Sequence, residues 1–284
     1  METGKEAVLF NSDTLSKIIL YLPSIDLLNL ALTSKRFSVS NNTNDVSIIE
    51  ESARIAIREI ATEDELATLP YYNGENLLAD YHYLQLLRAP LAFDQLVEGA
   101  EYVNKADKSC VTYRKTNKSG LATAFSNSIL RAGKHYATFG LDSSQRGDRG
   151  TIGVIVGLMR PGKATHKASG LPLHEDFFQN YSRNMVHGEC NNSIQCCLYN
   201  SDNANCIVSD WKGSTKVEYW DGLERNSDGE IGMLLDLDEG TLSVYKNGRK
   251  LGVMKRGLAG PYCWVVSLFR GVQVTIKRGT IPPS

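Results

Sequence analysis

The stretch DLDEGTLSVYKNGRKLG, residues 236–252, constrains the fold of this 284-residue chain more than any other. Leu237, then Leu242 and Val244, set apolar side chains at alternate positions on either side of Asp238-Glu239-Gly240. Alternation with period two marks a half-buried strand, and an Asp/Glu/Gly cluster between two such runs marks a tight turn. A second turn follows at Asn247-Gly248, where both residues tolerate the positive φ that a two-residue hairpin loop demands. The pattern predicts three short antiparallel strands in succession.

Further candidate strands lie at 111–113, 136–141, 151–158, 195–199, 231–237, 241–245, 264–268 and 272–276, with Gly, Asn, Asp and Ser filling the intervals. That spacing is the one expected of an all-β sandwich.

The first ninety-odd residues follow a different period. Leu15, Ile18, Ile19 and Leu22 fall on one helical face, with Ser12 or Asp13 placed to cap it and Pro23 to stop it. Ser24 is placed to cap a second helix through Leu27, Leu28, Leu30, Ala31 and Leu32, and Ser34–Phe37 forms a third short turn. Ser47 with Glu50, and Thr62 with Glu65, are capping-box signatures. Ile49, Ala53, Ala56, Ile57 and Ile60 line the helix behind the first of them, and a last helix through Leu77, Tyr81 and Leu84 ends before Pro90. The sequence reads as an α+β chain with a helical module at 1–45, a helical connector at 46–95 and an all-β sandwich at 96–284.

Composition narrows the function. With 31 basic and 32 acidic residues the net charge is −1 and no strong basic run occurs, so nucleic-acid or anionic-membrane binding has no electrostatic support. The apolar runs are too short to span a bilayer and the N-terminus lacks a signal-peptide pattern. These features predict a cytoplasmic or nuclear protein with six reduced cysteines.

Two constellations invite an enzymatic reading. Gly157 to Lys163 fits most of a phosphate loop, but Ala164 stands where the magnesium-binding hydroxyl is required and Gly170 and Pro172 break the helix that should follow. His187, Cys190, Cys196, Cys197 and Cys206 cluster, but at gaps unlike those of structural zinc sites. No nucleophile elbow or zincin motif is present. The expectation is a non-enzyme without cofactor or metal. A nucleotide- or zinc-dependent enzyme is the alternative from another class.

The residues also carry two resemblances. LFNSDTLSKIILYLPSIDLLNLALTSKRF, residues 9–37, resembles an F-box, with its first helix ending in "YLP" and the "DLLNLALTSKRF" run after it. Leu9-Phe10-Asn11 stands where members of that family usually open with Leu-Pro. The hairpin at 236–252, GKHYATF at 133–139, Gln145-Arg146-Gly147 before IGVIVG, and the closing strand pair resemble SPRY domains over roughly 100–277.

Together the resemblances imply a non-catalytic substrate receptor of an SCF-type, cullin-RING ubiquitin ligase acting in ubiquitin-dependent degradation. Leu9, Leu22, Pro23, Leu27, Leu28 and Leu30 are the implied contacts to a Skp-type adaptor. Gln145, Arg146, Gly147 and Asp148, with Phe269, Arg270 and Gly271, are the implied contacts to a target protein or peptide, here an acidic or polar extended segment. A SPRY interaction protein without a ligase link is the nearer alternative.

Overall fold

The structure is a computed structural model, which describes residues 18, 22–33, 47–69, 76–97, 99–113, 121–142, 154–160, 196–201, 204–209, 215–219, 229–269 and 271–282. The chain divides into two compact units, Met1–Ala89 and Pro90–Ser284.

In the first unit the described helices are α1 (Ser24–Thr33), α2 (Ile48–Ile60), α3 (Glu63–Thr68) and α4 (Leu77–Arg88). Both capping boxes form. The Glu50 amide donates to Ser47 Oγ at 3.2 Å while the Ser47 amide donates to Glu50 Oε2 at 3.1 Å. Thr62 and Glu65 repeat the exchange at 3.2 and 2.8 Å. Each box satisfies amides that the first turn of a helix leaves without a carbonyl.

Ser24 does not cap α1 as the pattern predicts. It is the first helical residue, and the Pro23 carbonyl accepts from the Asp26 and Leu27 amides at 3.0 Å each. The Ser24 side chain is turned to α4, where its Oγ lies 2.7 Å from His82 Nδ1, and its amide donates to Gln85 Oε1 at 2.9 Å. The Tyr81 hydroxyl donates to the Leu22 carbonyl at 3.3 Å, a further tie between the two segments.

The core of this unit joins Leu27 to Ile49, Ala53, Ile57, Leu69, Tyr81 and Leu84. Ile60, expected on the apolar stripe of α2, lies at the surface near the end of the helix. The first-helix pattern at Leu15–Leu22 falls outside the described residues except for Ile18 and Leu22, and the turn at 34–37 falls wholly outside them.

Among the described residues the second unit has fourteen strands. The first seven are β1 (Phe93–Val97), β2 (Ala100–Asn104), β3 (Asp107–Tyr113), β4 (Leu121–Ser126), β5 (Lys134–Asp142), β6 (Val154–Met159) and β7 (Cys196–Asn200). They are followed by β8 (Asn205–Ser209), β9 (Thr215–Tyr219), β10 (Gly229–Asp236), β11 (Thr241–Lys246), β12 (Arg249–Arg256), β13 (Cys263–Phe269) and β14 (Gln273–Arg278).

Two seven-stranded antiparallel sheets result. One runs β1-β4-β13-β6-β7-β8-β9, the other β12-β11-β10-β5-β14-β3-β2. Their facing sides close a single core from Phe93, Val156, Leu158 and Trp264 on one sheet and Phe139, Met233, Val244 and Ile276 on the other. Across it, the rings of Phe139 and Trp264 meet edge to face at 6.0 Å. Such a two-sheet core is the physical content of a sandwich. The architecture is helices followed by an antiparallel β-sandwich.

The hairpin takes the expected form. Asn247 and Gly248 have φ of 49° and 77°, the left-handed pair that matches strand twist in a two-residue loop. The Asn247 amide donates to the Glu230 carbonyl and its Oδ1 accepts from the Glu230 amide, both at 2.8 Å, so the turn is tied to the start of β10. At the other turn, Asp236 Oδ1 accepts from the amides of Asp238 and Glu239 at 3.1 and 3.0 Å.

Each segment expected as a strand overlaps one, with 151–153 and 195 outside the described residues, and β1, β2, β4, β8 and β9 are additions. Their sequences, such as AEYVN and LATAFS, are short, and small or charged residues blunt the alternation. They are strands because neighbours supply the missing hydrogen bonds. β1 spans Phe93–Val97 and so crosses the 95/96 position that the sequence suggests as the start of the sandwich.

Candidate interaction surfaces

On α1 the leucine-rich surface separates into two sides. Leu27 is buried at the centre of the helical core, with Leu22 and Leu30 half-buried against it. Ile25, Leu28 and Leu32 stand on the opposite side at 53%, 42% and 77% exposure. Their spacing of three and four residues places them in one row along the helix. Ile18 and Pro23 are also exposed.

Of the residues expected to meet an adaptor, Leu28 and Pro23 are therefore surface residues and Leu27 is a core residue. Leu9 lies outside the described residues. Leu32 belongs to the run that predicts this helix and Ile25 does not, and neither is among the expected adaptor contacts, although i, i+3, i+7 is the same signal that marks a buried face. Only packing distinguishes the buried row from the exposed one.

In the sandwich the ladders decide where the second set of candidates stands. β5 ends at Asp142, opposite Gln273 at the start of β14, and β6 begins at Val154, opposite Leu268 near the end of β13. The chain thus leaves one sheet for the other twice at the same end of the sandwich, through 143–153 and through the turn at 270–272. β3 and β4 leave and enter there too, since Thr112 pairs with Gln273 and Leu121 with Phe269.

Gly271, at φ 80°, occupies a conformation that glycine adopts without steric cost, and Phe269 is the last residue of β13. Gln145, Arg146, Gly147, Asp148 and Arg270 lie outside the described residues, as does the Phe269 side chain. Met159 pairs with both Cys196 and Cys263, so residues 161–195 leave and rejoin the sheet at the opposite end.

Gly157 and the three described cysteines of the constellations weighed for enzymatic chemistry are buried. Gly157 sits inside β6, where an added Cβ would come within 2.1 Å of the Cys197 carbonyl oxygen, so close strand packing accounts for the glycine. Residues 161–164 of the near-phosphate loop fall outside the described residues. Cys197 and Cys206 point into the main core and Cys196 into a second apolar cluster on the other side of the same sheet. Burial pushes the Cys197 thiol well up and the Cys263 thiol up to about 12, the opposite of what a thiolate ligand or nucleophile requires. His187 and Cys190 lie outside the described residues; among those described, no group of His, Cys, Asp and Glu is arranged to hold a metal. No helix among them is long and apolar enough to cross a membrane.

Comparison with known proteins completes this picture. No curated protein matches the chain. Among solved structures it is similar to the PSpry domain of TRIM65, at 17% identity and a TM-score of 0.45, covering 69% of this chain and 94% of that one. It is similar also to the SPRY domain of human HERC1, at 17% identity and a TM-score of 0.38, covering 66% and 97%. Residues 9–39 match the F-box domain model, a span that contains α1. The chain therefore carries an F-box domain at its helical end, followed by an antiparallel two-sheet β unit.

Proposed function

We propose that this protein is a non-catalytic substrate receptor of an SCF-type, cullin-RING ubiquitin ligase. In this reading the F-box binds a Skp-type adaptor and the sandwich holds a target protein, while ubiquitin transfer belongs to other subunits. The observation that carries it is the pairing of an F-box match at 9–39 with the exposed Ile25, Leu28 and Leu32 row inside that span. Contiguous apolar surface on a helix favours burial against a partner.

The adaptor surface comprises Leu28, Ile25 and Leu32 together with Pro23, Leu22, Leu30 and Leu9. The target surface is the end of the sandwich where 143–153 and 270–272 cross between sheets, with Gln145, Arg146, Gly147, Asp148, Phe269, Arg270 and Gly271 as its contacts. Arginine pairs there favour carboxylates in a ligand, through bidentate hydrogen bonds. Such a receptor works in the cytoplasm or nucleus and needs neither cofactor nor metal.

Co-purification of the intact protein with a Skp-type adaptor tests the reading directly. A stable binary complex is expected. Failure to bind any Skp-type adaptor at micromolar concentration leaves the ligase assignment without foundation.

A further inference from the structure

The N-terminus of α1 is closed by another helix. Pro23 precedes it, and a proline ring carries neither an amide hydrogen nor a polar atom with which to cap the first turn. The helix therefore opens at Ser24 with a backbone donor that no carbonyl of its own ladder reaches. Ser24 is only 3% exposed, and a buried amide left without an acceptor is destabilising. The acceptor comes from α4. Gln85 Oε1 receives the Ser24 amide at 2.9 Å, and His82 Nδ1 lies 2.7 Å from Ser24 Oγ.

His82 and Gln85 are three positions apart and so share one face of α4. On the same helix, Tyr81 bonds the Leu22 carbonyl just ahead of α1, and Leu84 packs in one core with Leu27. The two polar partners stand 58 and 61 positions from Ser24 in sequence, and both lie beyond the F-box match at 9–39. Pro23 and Ile25, on either side of Ser24, are exposed and belong to the proposed adaptor surface. A ten-residue helix is too short to hold its own conformation in water, so what fixes its first turn fixes the surface it presents.

We propose that His82 and Gln85 are positioning residues for adaptor binding, acting through Ser24 to set the start of α1 and the row Ile25, Leu28 and Leu32 that follows. The adaptor-binding unit of this chain then runs through α4 and does not end with the F-box match. This rests on the reading of that row as an adaptor surface and adds to it the helix that holds the row in place.

The test measures the affinity of the full-length protein for a purified Skp-type adaptor by isothermal titration calorimetry. Gln85→Leu combined with His82→Ala removes both partners of Ser24 and is expected to weaken binding about tenfold or more, with the helical circular dichroism signal preserved. Gln85→Glu combined with His82→Asn keeps a polar partner at each place and is expected to bind within about twofold of wild type. In the free protein, hydrogen exchange at the Ser24 amide is expected to be faster in Gln85→Leu than in wild type. His82 is at the surface, so His82→Ala alone serves if the first variant fails to fold, with an expected loss of about threefold. Wild-type affinity in the partner-removing variant, or an equal loss in the partner-keeping one, overturns the proposal while the receptor reading stands. Absence of adaptor binding by the wild-type protein overturns the receptor reading itself, and this proposal with it.

Discussion

Asp142 pairs with Gln273 across the β5–β14 ladder, which sets the departure of residues 143–153 beside the turn at 270–272. Two segments separated by more than a hundred residues in sequence thereby share one end of the sandwich. Arg146→Ala combined with Arg270→Ala is expected to release co-purifying targets while adaptor binding persists, as read by affinity purification and mass spectrometry. Retention of every target moves the contact elsewhere, with the opposite end, where 161–195 departs, as the next surface to examine.

The two sides of α1 predict opposite outcomes for neighbouring leucines. Leu28→Asp with Leu32→Asp is expected to abolish adaptor pull-down while the helical circular dichroism signal is preserved, because both side chains are at the surface. Leu27→Asp buries a carboxylate among Ile49, Ala53 and Leu84 and is expected to unfold the helical unit, at a cost of about 3–5 kcal/mol or more. Comparable loss of helicity in both variants would show that the exposed row is structural.

His135 predicts a pH-dependent stability. Its ring is buried and Nε2 lies 2.6 Å from the Ala132 carbonyl oxygen, and burial first of all lowers its pKa from 6.5 to about 4. The unfolded chain takes up the proton near pH 6.5 and the folded one does not until about pH 4. Stability should therefore be full above pH 6.5, fall as pH drops towards 4, and level off below it, by roughly 3 kcal/mol at most. Denaturant titrations across this range should show the slope in wild type and a flatter profile in His135→Leu.

Thiol labelling reports which cysteines the sandwich protects. Cys110 is half-exposed, whereas Cys196, Cys197, Cys206 and Cys263 are buried. Iodoacetamide at neutral pH is expected to modify Cys110 in the native protein and the other four only after denaturation, as mapped by peptide mass spectrometry. Rapid native modification of Cys197 or Cys206 would contradict the core placement.

Gly157 separates a packing role from a phosphate-binding one. Gly157→Ala drives a methyl group into the β7 backbone and is expected to destabilise the sandwich by about 1–3 kcal/mol. Lys163→Ala is expected to leave both the melting temperature and adaptor binding unchanged. Saturable ATP binding with magnesium that Lys163→Ala removes would revive the nucleotide reading.

Local chemistry was legible from the residues alone. The Asn247-Gly248 turn, the two capping boxes and the alternation of β11 arise from interactions within a few positions, so the sequence by itself determined them. Short strands such as β2 and β9 exist because neighbouring strands complete their hydrogen bonds, and that depends on partners distant in the chain. The same holds on α1, where Leu27 and Leu28 are chemically identical and packing against α2 and α4 decided which is buried. Tertiary structure alone also brought the departure of 143–153 and the turn at 270–272 to one end. Ladder register is a long-range property, selected by which faces the two sheets bury together.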